Sequence, residues 1–140
     1  MQIKEKIKLS FNEACKTYDS VADVHILSSA HLAGMLKELN LSPGSVLDIG
    51  CGTGNTSAEL IKAYPNAYYT ICDLSENMVR HALLKIPEAR TIVGDAEKYN
   101  FMENYDLGIS NLAMQWFESI DLFLEKILKN CHCFAFSTLL

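Results

Sequence analysis

Five short runs rich in β-branched and aromatic residues, SVLDI (45–49), AYYTIC (67–72), RTIVG (90–94), YDLGIS (105–110) and HCFAFST (132–138), punctuate the chain from residue 45 onward. Between them lie GNTSAELIKAY, SENMVRHALLK and SIDLFLEKILKN, whose apolar residues recur three or four apart, while the 95–104 link is shorter and less regular. Short strands bounded by turn signals and joined by segments of helical period predict right-handed crossovers and a doubly wound, mostly parallel α/β sheet. With 140 residues, 49% of them apolar, such a chain is one domain and buries roughly 70% of the surface its unfolded form exposes. We divide it into an N-terminal helical segment, 1–40, and an α/β core, 41–140. In the first part, Val21, Val24, Leu27, Ala30, Met35 and Leu39 stand near helical spacing, and Pro43 and Gly44 close the segment.

Composition removes several classes of function. A formal charge of −5 disfavours nonspecific nucleic-acid binding, which needs clustered Lys and Arg to displace counterions from phosphates. The basic residues Lys4, Lys6, Lys8 and Lys16 predict a solvated helix face, with contact to an acidic partner as the alternative. There is no apolar run of membrane-spanning length, and the opening MQIKEKIKLS alternates Lys with apolar residues, so a cytoplasmic, soluble protein without membrane contact is expected. Five scattered cysteines do not make a disulfide framework and read as reduced thiols. Cys131-His132-Cys133 reads as strand packing and not as a metal site, since zinc wants four ligands.

Ligands of a doubly wound sheet collect outside the carboxyl ends of the strands, near the point where strand order reverses. The first strand ends in VLDIGCGTG, where Gly50, Cys51 and Gly52 present backbone to a ligand without the hindrance of bulky side chains. A dinucleotide fingerprint spaces its glycines G-x-G-x-x-G and aims a helix N-terminus at pyrophosphate; here the third glycine, Gly54, follows the second by two residues. Asp48 stands just before this loop. A carboxylate there repels pyrophosphate and suits an ammonium group or a nearby sulfonium, directly or through water. Asp73, with Leu74 after it, follows the second strand, where a carboxylate accepts both hydroxyls of a ribose diol. Asp95 follows the third, and its side chain beside the amide N–H of Ala96 complements an adenine edge. S-adenosylmethionine fits the description of a ligand with amino, diol and adenine parts and no phosphate, although singly Asp48, Asp73 and Asp95 also read as turn or cap residues. Ser75 reads as a helix N-cap, and Cys51 as a loop residue whose backbone matters more than its thiol.

The successive stretches VLDIGCGTG, ICDLSENM and VGDAEKY resemble the motifs of class I S-adenosylmethionine-dependent methyltransferases. FNEACKTYDSVADVH before the core, SNLAMQW after the fourth strand and the terminal FAFSTLL are similar to the malonyl-acyl-carrier-protein O-methyltransferases of biotin synthesis. That resemblance implies methylation of the free carboxylate of a malonyl thioester on acyl-carrier protein. Such a carboxylate is already ionised at neutral pH, so its methylation needs alignment and desolvation more than a general base. The resemblance also implies that Tyr18 covers the cofactor and that Ser110 and Asn111 border the methyl site. Gln115 and Trp116 read as packing residues. The resembled enzymes continue through two more strands where this chain stops at Leu140. The core is therefore expected to be incomplete at its C-terminus, with residues 132–140 on an open edge suited to self-association. Two other functions stay open: methyl transfer to another small-molecule acceptor, and a catalytically silent cofactor-binding fragment or partner subunit.

Overall fold

Each of the five β-prone runs is a strand. The computed structural model describes residues 2–15 and 23–139. Two helices, α1 (Ile3–Ala14) and α2 (Asp23–Glu38), precede β1 (Ser45–Ile49), α3 (Asn55–Ile61), β2 (Tyr68–Asp73), α4 (Glu76–Lys85), β3 (Arg90–Val93), β4 (Tyr105–Asn111), a 3₁₀ turn (Met114–Trp116), α5 (Ile120–Ile127) and β5 (Cys131–Ser137). Neighbouring strands all pair parallel in the order β3-β2-β1-β4-β5. The chain works outward from β1 to β3, then crosses back to lay β4 on the other side of β1. That reversal puts a crevice between the carboxyl ends of β1 and β4.

β1 and β4 are central strands, and their buried apolar residues Val46, Leu47, Ile49, Leu107 and Ile109 serve both faces of the sheet. On one face Val46, Ile71, Leu107 and Ile109 pack with Leu32 and Leu36 of α2, Leu60 of α3 and Val79 and Ala82 of α4. On the other, Leu47, Ile49 and Cys72 meet Phe123 and Ile127 of α5, with Phe101 from the helix-free 95–104 link. β2 and β4 each run one residue further than their sequence signals, so Asp73 and Asn111 are the last residues of their strands. Ser75 caps α4 by accepting from Met78 N at 3.2 Å.

The inward face of α2 is not the expected one. Val24, Leu27, Met35 and Leu39 are 54–70% exposed and Ala30 is exposed too, while Val21 lies outside the described residues. The buried stripe is Ser29, Leu32, Ala33 and Leu36, spaced i, i+3, i+4 and i+7. Hydrogen bonds decide the rotation. Ser29 Oγ lies 2.9 Å from Thr56 Oγ1 and accepts from Asn111 Nδ2 at 3.1 Å, so a serine begins the stripe that the larger apolar residues were expected to form.

Candidate functional site

The glycine loop is built by backbone sterics. Gly50, Gly52 and Gly54 take φ values of +67°, +54° and +88°, a region that L side chains avoid. A Cβ on Gly50 would also stand 2.4 Å from the Cβ of Ala113. The loop is pinned to the end of β2: Gly50 N and Cys51 N donate to Cys72 O, and Gly52 N donates to Asp73 Oδ2 at 2.9 Å. Asp73 Oδ1 accepts from Ser75 N at 2.9 Å. Burial pushes the Asp73 carboxyl above its ordinary value, and its backbone N–H donors pull the other way.

Above this loop opens a cavity, predominantly apolar, at the ends of β1 to β4. Gly50, Gly52, Asp73, Leu74, Asp95, Ala96 and Asn111 all border it, so the structure brings together seven of the residues singled out from sequence. Asp48, Cys51 and Ser110 do not reach its wall; they are buried directly behind it. Tyr18 lies outside the described residues.

Asp48 is 1% exposed. Its Oδ2 accepts from Ser57 Oγ at 2.6 Å, while Oδ1 is buried with no hydrogen-bond partner. Burial pushes its carboxyl up to about 7, the Ser57 hydroxyl opposes that rise and the charge of Asp73 adds to it. A buried acceptor without a donor costs free energy, so the site is poised for a positive or hydrogen-bonding neighbour. Burial, with the charges of Asp73 and Asp48, also holds the Cys51 thiol well above its ordinary value, which disfavours the thiolate.

Several wall residues escaped the sequence reading. Lys4, Ile7 and Phe11 of α1 border the cavity, as do His25 of α2 and Trp116 and Phe117 beyond β4. Lys4 is no solvated cation: its Nζ lies 2.7 Å from Asp95 Oδ2 and also contacts Glu97. Glu97 in turn accepts from Glu118 N and Ser119 N. Burial pushes Glu97 up, but the Lys4 ammonium and those N–H donors outweigh it and hold its carboxyl below the ordinary value. At the far end of the helix, Asn12 meets Ser75 Oγ and its carbonyl accepts from Asn77 Nδ2. Thus α1 is a bar laid from the loop after β3 to the loop after β2. Trp116, expected to pack, is 49% exposed and meets Phe11 edge-on at 6.4 Å. Lys126 of α5 donates to the carbonyls of Ala96, Glu97 and Tyr99 and so fixes the loop that carries Asp95. The missed signal in α1 was the i, i+3, i+7 spacing of Lys4, Ile7 and Phe11, one helix face with a cation at its head.

No residue of α1 is buried, so its docking depends heavily on these polar ends. Lys4→Met is expected to raise amide hydrogen exchange across residues 3–14 several-fold, the effect of losing about 1 kcal/mol of ion pairing, with β1 and β4 unchanged. Equal exchange in both proteins would mean that Ile7 and Phe11 alone hold the helix.

Comparison with known proteins agrees with this architecture. Residues 46–133 match a family described as a methyltransferase domain. The chain is 38% identical over 129 residues to the malonyl-acyl-carrier-protein O-methyltransferase of Priestia megaterium, with 90% of this chain and 47% of that protein covered. To the enzyme of the same name from Neorickettsia risticii it is 35% identical over 136 residues, covering 95% and 54%. The chain therefore spans about half the length of these relatives. Among solved structures, a putative S-adenosyl-L-methionine-dependent methyltransferase from Methanococcus maripaludis superposes with a TM-score of 0.71 at 20% identity, covering 86% of this chain and 58% of that one. A plantazolicin methyltransferase in complex with SAH gives 0.64 at 19% identity, covering 93% and 58%. At such identities the likeness speaks for the fold.

Proposed function

The chain belongs to the methyltransferase domain family, and on that premise we propose that it binds S-adenosylmethionine and directs its methyl group to a carboxylate, that of a malonyl thioester on acyl-carrier protein. The carrying observation is the cavity wall: the carboxylates of Asp73 and Asp95 stand there at the ends of β2 and β3, with Asp48 buried behind the glycine loop at the end of β1. Among the described wall residues Lys4 is the one Lys or Arg, and Asp95 and Glu97 neutralise it, so nothing there prepares the site for phosphate.

The residues fit the cofactor on two counts: the Gly50 cradle leaves no room for a Cβ, and the orphaned Oδ1 of Asp48 calls for a positive or donor group nearby. Asp73 would take the ribose hydroxyls, and Asp95 with the N–H of Ala96 the adenine edge. Gly50, Cys51 and Gly52 would present backbone, and Leu74 an apolar surface. Asp48 would act through the loop on the amino acid end, and Ser110 and Asn111 would border the methyl site. Tyr18, from the N-terminal segment, is proposed as a further cover. When bound, the cofactor supplies an electrophilic methyl on a sulfonium. The protein's part is to align an ionised carboxylate and strip its water, for which Ile7, Phe11, Leu112 and Trp116 provide apolar walls.

The relatives' printed activity supports the choice of malonyl-acyl-carrier protein as acceptor and partner, and with it a place in biotin synthesis. The described residues include no helix long and apolar enough to cross a membrane, and all five cysteines are free thiols; both support a cytoplasmic setting. We also propose that the chain self-associates through residues 132–140, along the edge of β5.

Titration calorimetry with S-adenosylhomocysteine tests the cofactor reading. Asp73→Ala is expected to weaken binding by about 1.5–3 kcal/mol, the range for hydrogen bonds to a charged group. S-adenosylhomocysteine should raise the melting temperature, and NAD should not. Unchanged affinity in the variant, or equal protection by NAD, overturns the assignment.

A further inference from the structure

The loop after β3 closes a single hydrogen-bonded turn. Lys98 N and Tyr99 N donate to Asp95 O at 3.0 and 2.9 Å, and Asp95 Oδ1 accepts from Glu97 N at 3.0 Å. A turn that does not continue as a helix leaves its last carbonyls without a next turn to bond them. Those of Ala96, Glu97 and Tyr99 accept instead from Lys126 Nζ, at 2.7, 2.8 and 2.9 Å. An ammonium has three N–H groups, and here all three go to the main chain of this one turn.

Lys126 is itself held from the side of the core. Its Nζ lies 5.5 and 5.6 Å from the ring centroids of Phe101 and Phe123, both buried, and its neighbour on α5, Ile127, is buried as well. Lys126 stands outside the cavity wall, whereas Gly94, Asp95 and Ala96 form part of it. It can act on a bound ligand through those residues alone.

An adenine edge is read by a pair of groups, an acceptor for the N6 amino group and a donor for N1. Asp95 has the capacity for its half: an ionised carboxylate offers about four lone-pair sites, of which Glu97 N and Lys4 Nζ take two. The pair works only while the Asp95 carboxylate and the Ala96 N–H keep a fixed spacing and tilt, which is a property of the turn's backbone. Resting on the reading of the cavity as an S-adenosylmethionine site, we propose that Lys126 is a positioning residue for adenine recognition, locking the Asp95–Ala96 turn from α5 so that the site selects adenine over a 6-oxopurine. A 6-oxopurine carries an acceptor at position 6 and an N–H at N1, so both halves of the pair meet the wrong partner. Glu97, which accepts from Glu118 N and Ser119 N, ties the same turn to the start of α5. Without Lys126 the turn therefore stays attached and loses its orientation.

Calorimetry on the 140-residue chain with S-adenosylhomocysteine and S-inosylhomocysteine tests this, the weaker ligand being measured by displacement of the stronger. The wild-type chain should bind the adenosyl compound at least about tenfold more tightly, the effect of a hydrogen bond to a charged group. Lys126→Met removes the N–H groups and keeps most of the side chain's length. It should lose about tenfold of the affinity for the adenosyl compound and none for the inosyl compound, so that the preference collapses. Unchanged binding of the inosyl compound also reports that the variant is folded. Equal loss for both compounds, or binding of neither by the variant, would make Lys126 a general support of the fold and overturn the assignment. An undiminished preference in Lys126→Met, or no preference in the wild-type chain, would overturn it while the cofactor reading stands. If S-adenosylhomocysteine does not bind the wild-type chain, the cofactor reading fails and takes this assignment with it.

Discussion

Asp48→Asn is expected to make the ligand-free protein more stable above pH 7 while weakening its hold on the cofactor. Burial raises the Asp48 carboxyl from 3.8 to about 7 in the folded chain. Between those values the native state keeps a proton that the unfolded state has released, so native stability falls as pH rises through this window and stays low above it. The full difference is about 4 kcal/mol, at about 1.4 kcal/mol for each tenfold change in proton affinity. An asparagine is neutral throughout and escapes the penalty, although its amide would set one N–H where Oδ1 has no partner. The expected net gain is therefore roughly 1–4 kcal/mol at pH 8, shrinking to nothing near pH 4. Urea unfolding from pH 4 to 8 measures it. A variant no more stable than wild type at pH 8 would mean that Asp48 is not strained. Melting with S-adenosylhomocysteine should show the opposite ranking in ligand-induced stabilisation, because the orphan acceptor and its latent charge are what a cationic ligand would use. A site that costs stability when empty is the common signature of function built into a core.

That cost was only half legible in the sequence. A carboxylate before a glycine loop at the end of a buried strand pointed to a positively charged ligand, and its neighbour Asp73 does stand on the cavity wall. Nothing in the spacing told that Asp48 would sit behind the wall, tied to Ser57 nine residues on, because that depends on how α3 folds back over β1. The strands were readable for a local reason: short runs rich in β-branched and aromatic residues stand between turn signals, whatever packs against them later. The rotation of α2 was not, because it is set by a contact between Ser29 and Asn111, 82 residues apart, and not by the helix's own apolar count. Lys4 was misread for the same reason. On its own helix it is one of several lysines, and only the return of the chain after β3 brings Asp95 and Glu97 to it.

The protein is expected to run above its monomer mass in light scattering, rising with concentration, because β5 borders the sheet. It pairs with β4 along one side, and no described strand lies on the other. Alternate N–H and C=O groups of such a strand have no ladder partner and invite a second chain. Residues 131–139, CHCFAFSTL, hold no Pro and no Lys, the residues that usually guard an edge. The choice of blocking substitution follows from the packing. Phe134 is unsuitable, since its ring lies against Phe123 at a centroid distance of 6.2 Å and fills the space over Gly108. Phe136 is 42% exposed, so Phe136→Lys puts a charge on the edge at little expense to the core. That variant is expected to remain a monomer where the wild-type chain doubles in mass. A competing surface exists on α2, where Val24 and Leu27 are 62% and 70% exposed. Leu27→Glu separates the two: if it dissolves the association and Phe136→Lys does not, the helix face and not the strand edge is the contact. A monomer at every concentration, in all three proteins, would mean that neither surface is sticky enough to pair.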